Sequence, residues 1–377
     1  MDSLGAGGAE RSNTDFWMYA RERGVEVSIV VFDRRPHGTE REVLEAGFDV
    51  TFLRQRHPLL NARELSKIIK RECPDVVHST LFKSNLRTRL AKLYGASFLH
   101  VESLVNTTYD YRRLNDPNVV RYKMEGYRLM DGLTMNPLAD ELHAITEEVK
   151  KHYLRKLGVR PKKVTVIPRG RNPNPYRDDA ELRKQYRQEF GVPDGTVLLV
   201  STGRQEFQKG HIYLLGALRY LRDELKVANF RWLLLGREGH ATKTINDKVS
   251  EFDLHDKVIR AGHRYDVVKI LPTADIYVFP SLYEGLGVAL LEAQAAGLPI
   301  VCSDIPVFHE TTSTDNAVYI EPLEEKDFAL ALRELIAQPE RQKEMGEASL
   351  LNFNRRFQLD KVHARMLEYF QRLTADH

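Results

Sequence analysis

Four short apolar runs in the second half of the chain, residues 196–202, 231–235, 258–261 and 276–279, stop at Gly203, Gly236, Gly262 and the pair Pro280-Ser281. Each is followed by a stretch with helical character. A strand that turns at its end and returns through a helix pairs in parallel with the next such strand. The repeat therefore dictates a parallel sheet covered by helices. The same alternation fills the first half, with strands expected at 25–32, 48–53, 76–79, 98–104, 141–145 and 164–167. Helices are expected between them, at 40–45, 62–71, 85–94, 119–130 and 147–156. Two more strands, at 300–302 and 317–320, and helices at 327–335, 340–353 and 359–373 complete the chain. Arg171-Asn172-Pro173-Asn174-Pro175 breaks the regularity and reads as a linker. The 377 residues are enough for two cores. The expected organisation is α/β, with two Rossmann-like domains at 1–172 and 173–355 and a terminal helix in 356–377.

Gly5-Ala6-Gly7-Gly8-Ala9-Glu10-Arg11 has the look of a glycine loop feeding a helix at 15–23. Such loops follow a strand. Almost nothing precedes this one, so the expectation is a sheet that lacks its first strand. Residues 106–118 are polar and tyrosine-rich and read as a surface loop.

A hydrophobic content of 42% and a charged content of 29% suit a water-exposed globular chain. No apolar run reaches about 18 residues, and the first residues lack a basic patch followed by an apolar segment. Cys73 and Cys302 stand far apart in apolar segments and read as buried thiols of a reducing compartment. The expected location is cytoplasmic, with peripheral contact at the inner membrane face. Charge distribution suggests that contact: residues 1–177 carry 31 Lys and Arg against 22 Asp and Glu, a balance of +9, and the rest carry −6. A basic half suits an anionic acceptor or an acidic membrane surface; solvated basic helix faces would look the same.

Chemistry concentrates after the run at 276–279. Glu284 precedes Gly285-Leu286-Gly287, and that turn opens an Ala/Leu-rich helix containing Glu292. A helix N-terminus behind a glycine turn offers unpaired N–H groups and a positive dipole end, which suits phosphate. If the intervening residues are helical, eight steps of ~1.5 Å put the two carboxylates roughly 12 Å apart. That is about the span from a sugar ring across a diphosphate to a ribose. Any doubly wound protein offers such turns and glutamates, so the spacing alone does not decide. Arg204 and Lys209, just past Gly203, tip the balance toward a ligand. An arginine fork and a mobile lysine charge together neutralise a diphosphate leaving group without a metal. No Asp-x-Asp element is present to hold one, and no cofactor is expected. The serine elbow, the phosphate loop ending in Gly-Lys-Ser/Thr and the His-Glu-x-x-His helix are all missing, and the histidines lack metal-ligand spacing. No nucleic-acid partner is expected.

These residues resemble a known family: the large fourth family of retaining glycosyltransferases with the GT-B fold, glycosyl transferases group 1. The likeness rests on Gly203-Arg204 with Lys209-Gly210, Ala274-Asp275, Pro280 through Gly287, Leu291-Glu292-Ala293 and Gly297-Leu298-Pro299-Ile300-Val301. It implies two domains facing each other across a cleft, with a last helix crossing back to the first. Arg204 and Lys209 would bind the diphosphate of a nucleotide-sugar donor. Glu284 would touch the sugar hydroxyls, with the N–H groups of Gly285, Leu286 and Gly287 nearby. Glu292 would hold the ribose, and His263 and Arg264 would sit beside the base. Gly7 and Gly8 would approach from the other domain. Two places depart from the pattern. Val105, before Asn106, stands where many relatives have a histidine near the reacting carbon; His78 and His100 are the candidates to substitute, and a reaction that passes the acceptor proton to the diphosphate would need neither. Pro168-Arg169-Gly170 replaces a Pro-Asn-Gly. The acceptor side therefore rests on Asn106 and His78. The reaction implied is sugar transfer with retained configuration to an unidentified hydroxyl. The alternatives are a nucleotide-sugar epimerase, a non-catalytic nucleotide-sugar binder, or a membrane-surface scaffold.

Overall fold

The computed structural model describes residues 1–5, 7–35, 38–53 and 57–375; Ala6 of the glycine stretch lies outside them. All twelve expected strands form: β1 Ser28–Val31, β2 Asp49–Phe52, β3 Val76–Thr80, β4 Leu99–Leu104, β5 Glu141–Ala144, β6 Val164–Val166, β7 Val197–Thr202, β8 Phe230–Leu235, β9 Val258–Gly262, β10 Ile276–Phe279, β11 Ile300–Ser303 and β12 Ala317–Ile320. Their pairings are parallel throughout. The chain divides into two compact units, one of Met1–Asp110, Asn118–Gly170 and Leu359–His377, the other of Tyr111–Pro117 and Arg171–Gln358.

The second unit holds a six-stranded sheet in the order β12-β11-β10-β7-β8-β9. Its strands read as continuous apolar runs because helices cover both faces. Leu199, Trp232, Leu234, Ile276, Val278 and Val301 pack into one layer. The alternate residues Leu198, Val200, Leu233, Tyr277, Phe279 and Cys302 pack into the other, as the two-residue period of a strand requires. Cys302 is buried, but Cys73 is exposed, contrary to expectation. Cys73 caps helix Pro58–Glu72 in a left-handed conformation (φ 47°), and helix ends of that kind sit at the surface.

In the first unit β1 and β2 form one pair, and β3-β4-β5-β6 form a separate sheet. Met1 and Asp2 run beside β1. The terminal ammonium donates to Val30 O (2.8 Å), and the N–H of Phe32 donates back to Met1 O (3.2 Å). The Asp2 carboxylate accepts from the Ser84 N–H (2.6 Å) at the start of helix Phe82–Lys92. The first helix is Gly8–Arg21, seven residues earlier than expected, with Gly7 as its N-cap and Glu10 in its first turn. An acidic residue there suits the positive dipole end, so Gly8 is helical rather than part of a loop. The terminal helix Leu359–Ala375 packs on this unit, where Val362, Met366 and Tyr369, spaced four and three apart, meet Phe16, Ala20, Val101 and Ile167.

Behind the four-stranded sheet lies a wholly buried arginine. Arg89 pairs with Asp131, donates to Thr134 Oγ1 (2.6 Å), and lies 3.3 Å from Glu102 Oε2. Tyr109 donates to the other oxygen of Asp131 (2.5 Å), which pins the chain leaving β4. Burial pushes the Glu102 carboxyl up to about 7, against the pull of Arg89. The folded state thus holds this proton more tightly than the unfolded chain, whose carboxyl titrates near 4.5. Its contribution to stability is complete below pH 4.5 and is lost as pH rises through 7. Glu102→Gln is expected to be more stable than wild type at pH 8, by roughly 1–3 kcal/mol, and nearly equal at pH 5. Thermal melts at the two pH values test this; the same wild-type-minus-variant difference at both would remove Glu102 as the source.

Candidate active site

The strand order of the second unit reverses between β7 and β10, which lie side by side. Chains leaving two such strands depart to opposite sides and open a crevice at their carboxyl ends. Glycine lets the backbones crowd there. A Cβ on Gly236 (φ 152°) would fall 1.8 Å from Gly203 O. One on Gly210 (φ 66°) would fall 2.0 Å from Pro280 O. The loop after β7 and the loop after β10 therefore run in contact. Gln208 joins them further: its carbonyl accepts from the Leu282 N–H, and its side-chain amide donates to Tyr283 O, both at 2.8 Å.

This seam brings two of the expected residues together. Lys209 Nζ lies 2.5 Å from Glu284 Oε1, with their side chains 19% and 11% exposed. The ammonium also stands 5.1 Å from the centre of the Phe279 ring. Arg204 is 62% exposed, loosely paired with Glu206 at 3.8 Å, so its fork remains available at the surface. Behind the pair, His211 is buried against Trp232; burial, with Lys209 nearby, lowers its pKa to about 3 and keeps the ring neutral.

The helical spacing of Glu284 and Glu292 does not hold. Helix Val288–Ala295 starts only after Gly287, whose left-handed conformation (φ 72°) stops the helix from extending back. Glu284 lies in the preceding loop with Gly285 and Leu286. Glu292 is joined to Arg171, Nε to Oε1 at 2.9 Å. Arg171 stood in the expected linker, and no local pattern marks it as a partner of that helix. Arg113 is a second unexpected neighbour. It belongs to the segment Tyr111–Pro117, read as free surface loop, and its guanidinium lies 5.8 Å from the Tyr283 ring, one residue from Glu284.

His263 and Arg264 follow β9, but they differ in role. The His263 ring stands edge-on to Tyr265 at 4.7 Å, and Tyr265 is 85% exposed. Arg264 is occupied within the fold, with hydrogen bonds to Asp266 (2.8 and 2.7 Å) and Glu189 (2.7 Å). The Asp266 contact raises its pKa further.

The remaining candidates lie in the first unit. The Gly7 carbonyl accepts from the Arg11 N–H (3.0 Å), and Gly8 O accepts from Arg169 (2.7 Å). The arginine that replaces the expected asparagine thus reaches the glycine stretch. His78 Nε2 is 2.7 Å from Ser103 Oγ, which is 2.9 Å from His143 Nδ1; His143 Nε2 is 2.7 Å from Ile167 O. A carbonyl only accepts, so His143 donates from Nε2 and its Nδ1 accepts a hydrogen bond from the Ser103 hydroxyl; the Ser103 oxygen then accepts from His78 Nε2–H. Burial lowers His78 to about 3 and His143 to about 4, so both rings are neutral. They line a pocket open to solvent with Asn13, Arg169, Val362 and His363. His100 is fully buried against Ser79 (2.8 Å). The Asn106 side chain accepts from the Thr107 N–H (2.8 Å). Among the described residues no group of three His, Cys, Asp or Glu could hold a metal ion.

Two parallel α/β units, the second with a lysine–glutamate pair at its switch point and the first closed by the terminal helix, make up the GT-B glycosyltransferase architecture. The sequence agrees over both halves: residues 183–350 match the family "Glycosyl transferases group 1" and residues 6–174 match "Glycosyltransferase Family 4". The chain belongs to the GT-B glycosyltransferase superfamily. It is 24% identical, over 64% of its length, to the Escherichia coli UDP-Gal:alpha-D-GlcNAc-diphosphoundecaprenol alpha-1,3-galactosyltransferase. It is 26% identical, over 63%, to the D-inositol 3-phosphate glycosyltransferase of Xylanimonas cellulosilytica. The matches span 60% and 58% of those two relatives. The fold is that of Anabaena Alr3699/HepE, solved with UDP-glucose: TM-score 0.83, 17% identity, and 98% of each chain covered.

Proposed function

We propose that the protein is a retaining glycosyltransferase that moves a sugar from a nucleotide-diphosphate sugar to an acceptor hydroxyl, without a metal ion. The Lys209–Glu284 pair at the switch point carries this reading. A cation for the leaving diphosphate and a carboxylate for sugar hydroxyls stand side by side there. Arg204 adds a fork from the rim, and the N–H groups of Gly285, Leu286 and Gly287 supply uncharged donors. The donor C1–O bond loosens toward an oxocarbenium-like state while these groups take up charge on the diphosphate. A diphosphate oxygen accepts the acceptor proton on the same face, so no protein base is needed where Val105 stands. Glu292, held by Arg171, faces the ribose. His263 with Tyr265 serves the base better than Arg264, whose guanidinium is engaged elsewhere. His78, as a neutral ring, and Asn106 serve the acceptor side.

The name of the Escherichia coli relative puts UDP-hexoses first among donors, and the names of both relatives put phosphorylated molecules first among acceptors. Calorimetry with UDP-, GDP- and ADP-sugars tests the reading. One nucleotide class is expected to bind in the micromolar to millimolar range, and NMR of the product is expected to show the donor's anomeric configuration. If no nucleotide-sugar binds at millimolar concentration the reading fails. Isomerised sugar formed without acceptor would replace it with an epimerase. The location proposed is cytoplasmic, at an acidic membrane face suited to the basic first half.

A further inference from the structure

Helix Arg121–Leu138 packs on the first unit through Met124, Asp131 and Met135, which are buried. Those positions lie on one side of the helix. The opposite side carries Tyr122, Leu129 and Leu133, spaced seven and four apart, and they are 74%, 60% and 68% exposed. An apolar stripe at helical spacing normally marks the side turned to the core. Here the helix has a second such stripe, and it faces solvent. Basic residues adjoin it. Arg121 and Lys123 are exposed on the helix itself. Its carboxyl end is tied to the next helix and the turn after it: Arg128 donates to Lys156 O (3.3 Å), and Asn136 bonds to Gly158 O (2.9 Å) and the Arg160 N–H (3.3 Å). Exposed Lys156, Arg160 and Lys162 are thereby held beside it. Residues 121–163 contain ten Lys and Arg against six Asp and Glu, and two of those acids, Asp131 and Asp140, are paired with Arg89 and Lys92.

We propose that this face docks the protein on an anionic lipid bilayer, with Tyr122, Leu129 and Leu133 entering the headgroup boundary and the basic rim meeting the lipid charge. A second copy of the chain suits the face poorly. Three such side chains expose on the order of 300–400 Å², short of the ≈ 800 Å² per partner of a stable interface. A symmetric contact would also set basic rim against basic rim. An anionic surface reverses that sign, and each Lys or Arg near it adds to binding. Apolar insertion and charge attraction act together in interfacial helices. The proposal specifies the membrane contact named above and does not depend on the transfer reaction.

Vesicle flotation of the full chain tests it, with mixed phosphatidylglycerol–phosphatidylcholine vesicles and phosphatidylcholine vesicles alone. Wild type is expected to float with the anionic vesicles, less so at high salt, and not with the neutral ones. Leu129→Glu/Leu133→Glu and, separately, Lys156→Glu/Arg160→Glu are each expected to lower the partition coefficient on the order of tenfold. All substituted side chains are exposed, and unchanged melting checks the fold. Wild type left unbound by anionic vesicles, or Leu129→Glu/Leu133→Glu bound as well as wild type, overturns the proposal. So does a wild-type dimer in light scattering that Leu129→Glu/Leu133→Glu dissociates. Calorimetry with UDP-glucose on the same samples reads the second unit: loss of flotation with unchanged nucleotide-sugar binding separates the docking face from the donor site.

Discussion

Lys209→Ala is expected to lower kcat/KM for the bound nucleotide-sugar by roughly 10²–10³-fold, about 2.7–4 kcal/mol of transition-state stabilisation. The size follows from position. The ammonium lies in a largely dry seam between two loops, where a fixed charge acts more strongly than in water. The diphosphate gains negative charge as the C1–O bond breaks, so most of the loss falls in kcat. The substitution also leaves the nearly buried Glu284 carboxylate without its cation. Glu284→Gln distinguishes the two effects. It removes the carboxylate but keeps Lys209, so diphosphate binding by calorimetry with UDP stays near wild type while turnover falls. Arg204→Ala, at the exposed rim, should weaken donor binding less than Lys209→Ala impairs turnover. Steady-state kinetics on the three variants check this ranking; a Lys209→Ala enzyme within threefold of wild type would remove the lysine from the leaving-group site.

Arg89→Met should destabilise the first unit by about 3–5 kcal/mol. Domain stabilities of about 5–15 kcal/mol make that a large fraction of the total. The substitution strands the Asp131 carboxylate in the core without its cation, and the loss of attraction is smaller than the cost of burying that bare carboxylate; Glu102, already held up to about 7 by burial, takes up a proton instead. The triple variant Arg89→Met/Asp131→Asn/Glu102→Gln should recover most of the loss, because it removes the charges together. The two tryptophans make the experiment local: Trp17 lies in the first unit and Trp232 in the second. Urea unfolding followed by fluorescence should show the Trp17 transition moving to lower denaturant while the Trp232 transition stays. Equal shifts of both would mean that the two units unfold together.

The sequence by itself determined the parallel sheets, because short apolar runs ending at Gly203, Gly236, Gly262 and Pro280-Ser281 admit little else. It also marked Lys209 and Glu284, since both sit within a few residues of strand ends that a sheet of this class must bring together. What depended on distant neighbours was decided only by the tertiary structure. Glu292 meets Arg171 across about 120 positions and Arg264 is taken by Glu189 across 75. Arg113 arrives beside Tyr283 on a segment that local polarity marks only as surface. Helix starts differed for a local reason with a tertiary cause: Gly287 adopts the left-handed conformation that holds Glu284 outside the helix, and Gly8 enters a helix that glycine alone would not favour. Helix Arg121–Leu138, expected from the sequence only as a helix over 119–130, carries apolar residues on two sides. Whether Leu129 and Leu133 point to the core or to solvent depends on which other side, here Met124, Asp131 and Met135, the rest of the unit buries first. The pair at the switch point was legible for the opposite reason. Strand order places the ends of β7 and β10 side by side whatever the surrounding loops do, so chemistry attached to those ends is brought together by backbone hydrogen bonding alone.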